Sequence, residues 1–354
     1  MNEDLLTPRT QERPALLSIV CPAFNEEEVL AQFHRRVRKA MAAMEQSYEL
    51  VFVNDGSRDN TLGLMRLIRE RYPNTTIVDL SRNFGKEIAL SAGLDAARGD
   101  AVVVIDADLQ DPPEIIEALI AEWRKGYEVV YAQRKARHGE TWLKKATAGG
   151  FYKLMSRLGA VRLPENTGDF RLMSRKVVDA IGEMRERHRF MKGVFAWVGF
   201  PAKAVLYDRD PRAAGTTKWN YWKLWNLSLE GITSFTTAPL KISTYIGFIT
   251  AVLAVMAGLF YLVKAVFFGD PVAGFPTLIT VMLFLGGTQL FVLGVMGEYL
   301  GRIFNETKSR PLYFINQLEA SNLAGPEKDR AAKPANPKTK SDVLTAQDGE
   351  AVKG

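Results

Sequence analysis

Asp106-Ala107-Asp108 closes the apolar run from Ala101 to Ile105, and Gln110 and Asp111 follow at once. A strand that ends in two carboxylates two residues apart places hard oxygen ligands at the rim of a sheet, where open α/β sheets bind their substrates. Oxygen donors suit Mg²⁺ or Mn²⁺ held jointly with a substrate's phosphates, rather than zinc. Asp-x-Asp by itself reads equally well as a solvated acidic loop. Here the pair has company. Leu16 to Cys21 runs into Pro22-Ala23-Phe24-Asn25-Glu26-Glu27, and Leu50 to Val53 runs into Asn54-Asp55-Gly56-Ser57-Arg58-Asp59. Taken singly, Asn25, Ser57 or Asp59 is a helix cap and Asp55-Gly56 a turn. Three polar strings at the ends of three strands point to a site.

Those strings need a frame that brings them to one edge. The first 132 residues alternate apolar strands with helical spacing. Strands are expected at Leu16–Cys21, Leu50–Val53, Thr76–Leu80, Ala101–Ile105 and Glu128–Ala132. Helices are expected at Glu26–Met44, Asp59–Arg71, Lys86–Ala97 and Pro113–Lys125, the last with proline at its start, where it is tolerated. Such alternation predicts an α/β domain with a parallel sheet covered on both faces, assigned to residues 16–218. Residues 1–15 and 322–354 read as disordered, the latter rich in Ala, Lys, Pro and Asp. No internal repeat is visible.

The apolar content, 47% of 354 residues, is unevenly spread. Ile242 to Val263 and Phe275 to Gly297 are uncharged runs, each meeting the roughly 20 residues that a membrane-spanning helix needs. The short spacer predicts a hairpin across 241–300 with both outer ends on one side. Lys241 before the pair and Arg302, Lys308 and Arg310 after it place those ends in the cytoplasm by the positive-inside rule. Lys264 at the far end argues weakly against this and can snorkel. Trp219, Tyr221, Trp222 and Trp225 mark 219–240 as interfacial helices that seat the domain on a bilayer, and 301–321 as a cytoplasmic juxtamembrane segment. The front of the chain has no apolar signal segment, so the expected location is the cytoplasmic (inner) membrane, multi-pass, with the catalytic domain in the cytoplasm.

Several chemistries drop out. A single cysteine, Cys21, excludes an internal disulfide and fits a reducing compartment. The three histidines, His34, His138 and His188, are scattered, which argues against a zinc cluster or a Ser-His-Asp apparatus. Neither a G-x-G-x-x-G nor a Walker motif is present. The net charge of +6 is explained by an anionic membrane surface more simply than by nucleic acid.

Taken together, Pro22–Glu27, Asn54–Asp59 and Asp106–Pro113 resemble the signature of family 2 inverting glycosyltransferases with the GT-A (Rossmann-like) fold. The Asp-Ala-Asp-Leu-Gln-Asp-Pro-Pro-Glu string is similar to that of dolichol-phosphate mannose synthases and bacterial polyprenyl-phosphate sugar transferases. Gly168–Leu172, Arg209–Trp219, Leu227–Leu240 and the paired apolar runs resemble the bactoprenol glucosyltransferase subgroup. The resemblance covers roughly Leu16 to Pro311. It implies that Pro22, Phe24 and Glu26 line the uracil and ribose pocket and that Asp55 contacts base or ribose. Phe24 stands where relatives often carry Tyr. Asp106, Asp108 and Gln110 would hold Mg²⁺ or Mn²⁺ against the nucleotide diphosphate. Arg171, Arg209, Arg212 and Lys218 would bind phosphates of donor or lipid, and Asp169 would orient the nucleophile or donor sugar. The resemblance also implies a homo-oligomer, a tetramer.

The implied reaction is transfer of a hexosyl group, glucose from UDP-glucose, to a polyprenyl (undecaprenyl) phosphate with inversion. The acceptor chemistry agrees with the lack of an evident base. A phosphate monoester is already largely dianionic at pH 7, its second pKa being about 6, so positioning and charge compensation suffice. Rival readings are another donor sugar on the same lipid (mannose from GDP-mannose, or an aminosugar) and a processive polysaccharide synthase. The synthase needs more spans and a Gln-x-x-Arg-Trp-type motif, which does not occur after the core. A non-enzymatic membrane adaptor would be expected to have lost Asp106 and Asp108.

Overall fold

The computed structural model describes residues 9, 13–135, 164, 167–187, 189–208, 238–268 and 274–323. Four parallel strands form the middle of the sheet: β1 (Leu17–Ala23), β2 (Tyr48–Asn54), β3 (Thr75–Leu80) and β4 (Ala101–Val104). Helices α1 (Leu30–Ala43), α2 (Thr61–Arg71) and α3 (Lys86–Ala96) connect them. After β4 come a 3₁₀ turn at Pro113–Ile115, α4 (Ile116–Arg124), β5 (Val129–Arg134), β6 (Thr167–Ser174), α5 (Arg175–Glu183), α6 (Met191–Trp197) and β7 (Ala202–Tyr207). Two long helices follow, α7 (Ala238–Phe268) and α8 (Phe275–Thr307), and then β8 (Ile315–Glu319).

The strand order is β7-β5-β6-β4-β1-β2-β3-β8. The expectation of a parallel sheet is therefore corrected to a mixed one. Strand β6 enters between β4 and β5, antiparallel to both, and β8 lies antiparallel on β3. Strand–helix alternation signals only the parallel half; β6 arrives by a connection without that signature. Its reversal has a consequence for chemistry, because it carries Thr167–Asp169 to the edge where β4 ends. A second correction concerns the domain boundary. β8, in the stretch expected to be juxtamembrane, is part of the sheet, and α8 continues through 301–307. Nor is the stretch 1–15 wholly without structure: Arg9 lies 4.2 Å over the Trp123 ring and 2.7 Å from Glu128.

Alternation along β1 divides the core into two layers. Leu17, Ile19 and Cys21 pack with Phe33, Met65 and Trp123 of α1, α2 and α4. Val20, with Val51 and Val53 of β2, faces Leu90 of α3, Val177 of α5 and Val194 of α6. Both faces are thus covered, and each fully buried aliphatic side chain contributes about 1.5–3 kcal/mol. Helix α3 lies very close to the sheet at Gly93, where a Cβ would fall 2.3 Å from Val20 Cγ1 and 2.9 Å from Val53 Cγ2. Glycine alone fits there.

The two long helices invert this pattern. Val255 is 70% exposed and Leu290 72%, with most other large apolar side chains of α7 and α8 also open. Such a surface needs an apolar solvent. Among the described residues, Pro239–Phe260 is long and apolar enough to cross a membrane, with a mean hydropathy of 2.0. The hydroxyls of Ser243, Thr244 and Thr288 donate to carbonyls four residues back, which satisfies them without water.

Candidate active site

The loops after β1 and β2 are laced together. The Asn25 N–H donates to Ser57 Oγ at 3.1 Å, and the Arg58 N–H donates to Asn25 Oδ1 at 2.8 Å. The Glu26 N–H donates to Thr61 Oγ1 at 2.9 Å, and the Asn60 N–H to Glu27 Oε2 at 2.8 Å. Asn25 adopts φ 55°, a left-handed conformation that Asn tolerates better than most residues. Phe24 is 38% exposed and Glu26 half-buried, so both stand at the rim, whereas Pro22 is buried within β1. Asp55 is the residue expected to contact base or ribose. It is buried, and its two carboxylate oxygens accept the backbone N–H groups of Phe84 and Gly85 at 2.7 and 3.0 Å. Burial pushes its pKa up, against those two hydrogen bonds and Arg82. Its visible work is to tie the β2 loop to the β3 loop.

At the end of β4, Leu109 adopts φ 59° while buried, which turns the chain sharply. That turn lets the Gln110 N–H donate to Asp108 Oδ1 at 3.1 Å. Asp106 faces the start of α3: Lys86 Nζ donates to its Oδ2 at 2.7 Å and lies 2.6 Å from Asp169 Oδ2. Asp106, Asp108, Gln110 and Asp169 thus meet at one edge, joined by a lysine that sequence reading missed. A signal existed, since Asn83-Phe84-Gly85-Lys86 follows β3 as the other three strings follow their strands.

Behind Lys86 lies a largely half-buried charge cluster. Burial and the neighbouring Asp169 raise the pKa of Glu87, which accepts the Met191 N–H at 3.0 Å. Burial would raise Asp169 too, but Lys86, with help from Lys192 and Arg171, holds it below the usual carboxylate range. Burial lowers Lys192. Arg171, expected to bind phosphate, is buried and held by internal contacts. It is 3% exposed, its Nε and Nη2 donate to the carbonyls of Asp169 and Gly168, and its guanidinium sits 3.8 Å over the Phe195 ring. Its register partners are Val104 in β4 and Tyr131 in β5.

Arg134, at the carboxyl end of β5, is a second residue that sequence reading missed. Its Nε is 3.5 Å from Tyr207 Oη, Tyr207 donates a short hydrogen bond to Asp111, and the charges of Asp111 and Asp106 favour the cation. Arg209, Arg212 and Lys218 lie outside the described residues. So does the aromatic cluster at 219–225.

Residues 18–182 match the model of glycosyl transferase family 2, and residues 238–303 match the GtrB C-terminal hairpin. A bactoprenol glucosyl transferase of Shigella flexneri, derived from the SfII prophage, is 47% identical over 86% of this chain and 99% of its own length. The chain belongs to glycosyl transferase family 2. A glycosyltransferase of Synechocystis, sll0501, is 53% identical over 85% of this chain and 95% of that protein. A prophage bactoprenol glucosyl transferase homolog of Escherichia coli K12 is 48% identical over 86% and 99%. Among solved structures, glucosyl-3-phosphoglycerate synthase from Mycobacterium tuberculosis, with Mn²⁺, UDP-glucose and phosphoglyceric acid, is similar at 21% identity. Its TM-score is 0.40, over 62% of this chain and 78% of that one. The chain is thus a glycosyltransferase with an α/β catalytic domain and a C-terminal helical hairpin that associates it with membrane.

Proposed function

We propose that this chain transfers glucose from UDP-glucose to a polyprenyl phosphate at a membrane surface, with inversion at the sugar. The observation that carries the reading is one of placement. The Asp106–Asp108 carboxylate pair ends β4 of the same sheet that receives β8, the strand following the apolar hairpin. The candidate donor site and the strand that follows the apolar hairpin therefore share one sheet. The relatives named for bactoprenol glucosyl transfer point the same way.

The residues fit a divalent cation held with substrate. Among the described residues no group of three His, Cys, Asp or Glu could hold a metal alone. Asp106 and Asp108, with the Gln110 amide oxygen, supply oxygen donors only, leaving positions for diphosphate and water as Mg²⁺ and Mn²⁺ prefer. Bound there, the ion would offset the charge that builds on the departing nucleotide. Lys86 neutralises Asp106 and Asp169 in the meantime. Arg134, hydrogen-bonded to Tyr207, offers a cation for a phosphate, and Arg209, Arg212 and Lys218 are expected to bind phosphates as well.

No protein base is required. The acceptor phosphate arrives largely dianionic, so the site must hold it in line with the anomeric carbon and screen its charge. In this reading the protein is multi-pass in the cytoplasmic membrane, its catalytic domain on the cytoplasmic side. Purified full-length protein incubated with undecaprenyl phosphate and a panel of UDP- and GDP-sugars, followed by mass spectrometry of the lipid fraction, tests it. Glucosyl phospholipid formed from UDP-glucose is the expected product. Sugar that stays on the nucleotide, or that enters only a water-soluble glycan, overturns the reading.

A further inference from the structure

The segment after α8 returns to the catalytic sheet and is tied along its length. Strand β8 pairs with β3 from Ile77–Glu319 to Leu80–Ile315. The Ser81 N–H donates to the Phe314 carbonyl at 2.9 Å, and the Asn322 N–H to the Pro73 carbonyl at 2.9 Å. Arg66 anchors the outer side, 2.9 Å from both Glu319 Oε1 and Gln317 Oε1. At its other end the segment meets the foot of the hairpin. The Arg187 N–H donates to Glu306 Oε1 at 2.8 Å, and its guanidinium donates to the Arg310 carbonyl. Tyr313 Oη donates to Asp95 Oδ2 at 2.6 Å, where Arg185 also binds.

One residue on this strap breaks the register. Asp79 stands opposite Gln317 and Leu80 opposite Ile315, so Asn316 is the extra residue of a β-bulge. Bulges re-aim side chains, often beside active sites, and here the aim is specific. Asn316 Nδ2 donates to Asp79 Oδ2 at 2.7 Å. The other oxygen of Asp79 accepts Asn54 Nδ2 at 2.7 Å, and Asn54 Oδ1 accepts the Ser57 N–H at 3.1 Å. Ser57 Oγ in turn accepts the Asn25 N–H. Asp79 is 4% exposed and Asn54 2%. A buried carboxylate thus has one oxygen held by Asn54 at the end of β2, which caps the loop after it, and the other by the strand that follows the hairpin. The Asn54–Asp79 bond at its centre is buried, where such a bond holds its neighbours in place, while Asn316 joins it from the exposed edge strand.

We propose that Asn316 is a positioning residue for the donor site, coupling the foot of the membrane hairpin to the nucleotide loop through Asp79 and Asn54. This rests on the reading of the loops after β1 and β2 as the nucleotide pocket. The relay acts on how well the donor is held and leaves the transfer step alone, because its hydrogen bonds run through β8, β3 and the ends of β2 and β1 and not through the loop after β4. The strap has a second grip on the same region: the bond from Ser81 to Phe314 fixes the start of the loop whose amides bind Asp55.

The test uses full-length protein in detergent, with UDP-glucose and undecaprenyl phosphate. Asn316→Ala should raise KM for UDP-glucose by about tenfold, the factor carried by one hydrogen bond to a charged group, with kcat within about twofold. Asp79→Asn reaches the relay from its centre and should shift KM in the same direction. Arg66→Ala loosens the outer side of the strap without touching the relay, and its KM should stay within about twofold of wild type. Amide exchange of the peptide containing Ser57 should quicken in Asn316→Ala while β1 and β4 keep their protection. Unchanged KM in both relay variants overturns the proposal, as does a fall in kcat at constant KM. General loss of protection across the sheet assigns the strap a purely structural role and overturns it too. If wild-type protein itself forms no glucosyl lipid, the proposed function has failed instead, and direct UDP titration of the same variants still decides the relay.

Discussion

Replacing Lys86 with methionine is the perturbation whose size the structure best defines. Lys86 Nζ lies 2.7 Å from Asp106 Oδ2 and 2.6 Å from Asp169 Oδ2, with side-chain exposures of 45% for the lysine, 26% for Asp106 and 12% for Asp169. The loss falls mainly on Asp169, because its Oδ1 has no hydrogen-bond partner among the described residues and Glu87 repels it from nearby. Removing one partner of a buried pair costs about 3–5 kcal/mol. The half-open lysine lets water screen the pair, which reduces the expected loss to about 2 kcal/mol. Methionine keeps the stem's packing, so the loss reports charge. A double-mutant cycle of Lys86→Met, Asp169→Asn and both together isolates it. Urea unfolding in detergent, followed by the buried Trp123 in the catalytic core, gives the readout. The double variant should recover most of the stability lost by Lys86→Met, giving a coupling of about 2 kcal/mol. Additivity within about 0.5 kcal/mol would show that the two side chains do not depend on each other, and the electrostatic account of this site would be refuted.

Other consequences are open to measurement. EDTA should abolish transfer and Mg²⁺ or Mn²⁺ restore it, with Asp108→Ala folded but inactive; full turnover in EDTA would remove the cation from the scheme. Lys86→Met should bind Mn²⁺ more tightly in the nucleotide-free state, since Asp106 Oδ2 is no longer shared; equal affinity by paramagnetic titration would contradict the competition. His34 is buried with its ring centroid 4.6 Å from that of Tyr72, and burial, aided by Arg38, lowers its pKa to about 4. The unfolded chain takes up this proton near pH 6.5 and the folded protein only near 4, so stability falls as pH drops through that window. The loss is about 3 kcal/mol in all, and His34→Phe should flatten that limb of the profile; an unchanged slope would dismiss the assignment. Gly274→Cys, at the start of α8, should be labelled only from outside the cell if the hairpin spans the membrane. Cys21 stays silent because it is fully buried with its thiol pKa pushed up. Labelling solely from the cytoplasmic side would contradict the hairpin.

The local parts of this protein were legible from residue types and spacing. Alternating apolar runs marked β1 to β5 within a residue or two, since burial of a strand needs nothing beyond neighbours in the chain. Pro22–Glu27, Asn54–Asp59 and Asp106–Asp111 were found for the same reason: a polar string after an apolar run is a one-dimensional pattern. The uncharged runs at 242–263 and 275–297 were equally plain. What depended on partners far along the chain was not readable. The burial of Arg171 follows from the antiparallel entry of β6, which places it opposite Val104 and over the Phe195 ring. That Asp55 ties the β2 loop to the β3 loop through both its oxygens was not legible either. Lys86 acquires its meaning only where β4, α3 and β6 meet, bringing Asp106 and Asp169 to either side of one ammonium group. β8 is too short and too polar to announce itself; it is a strand because β3 offers an unpaired row of N–H and C=O groups for it to bind. Residue type and short-range period decide which segments are buried and which groups can do chemistry. Strand direction, register and edge pairing are settled by contacts between segments distant in sequence, and those decide which charges meet.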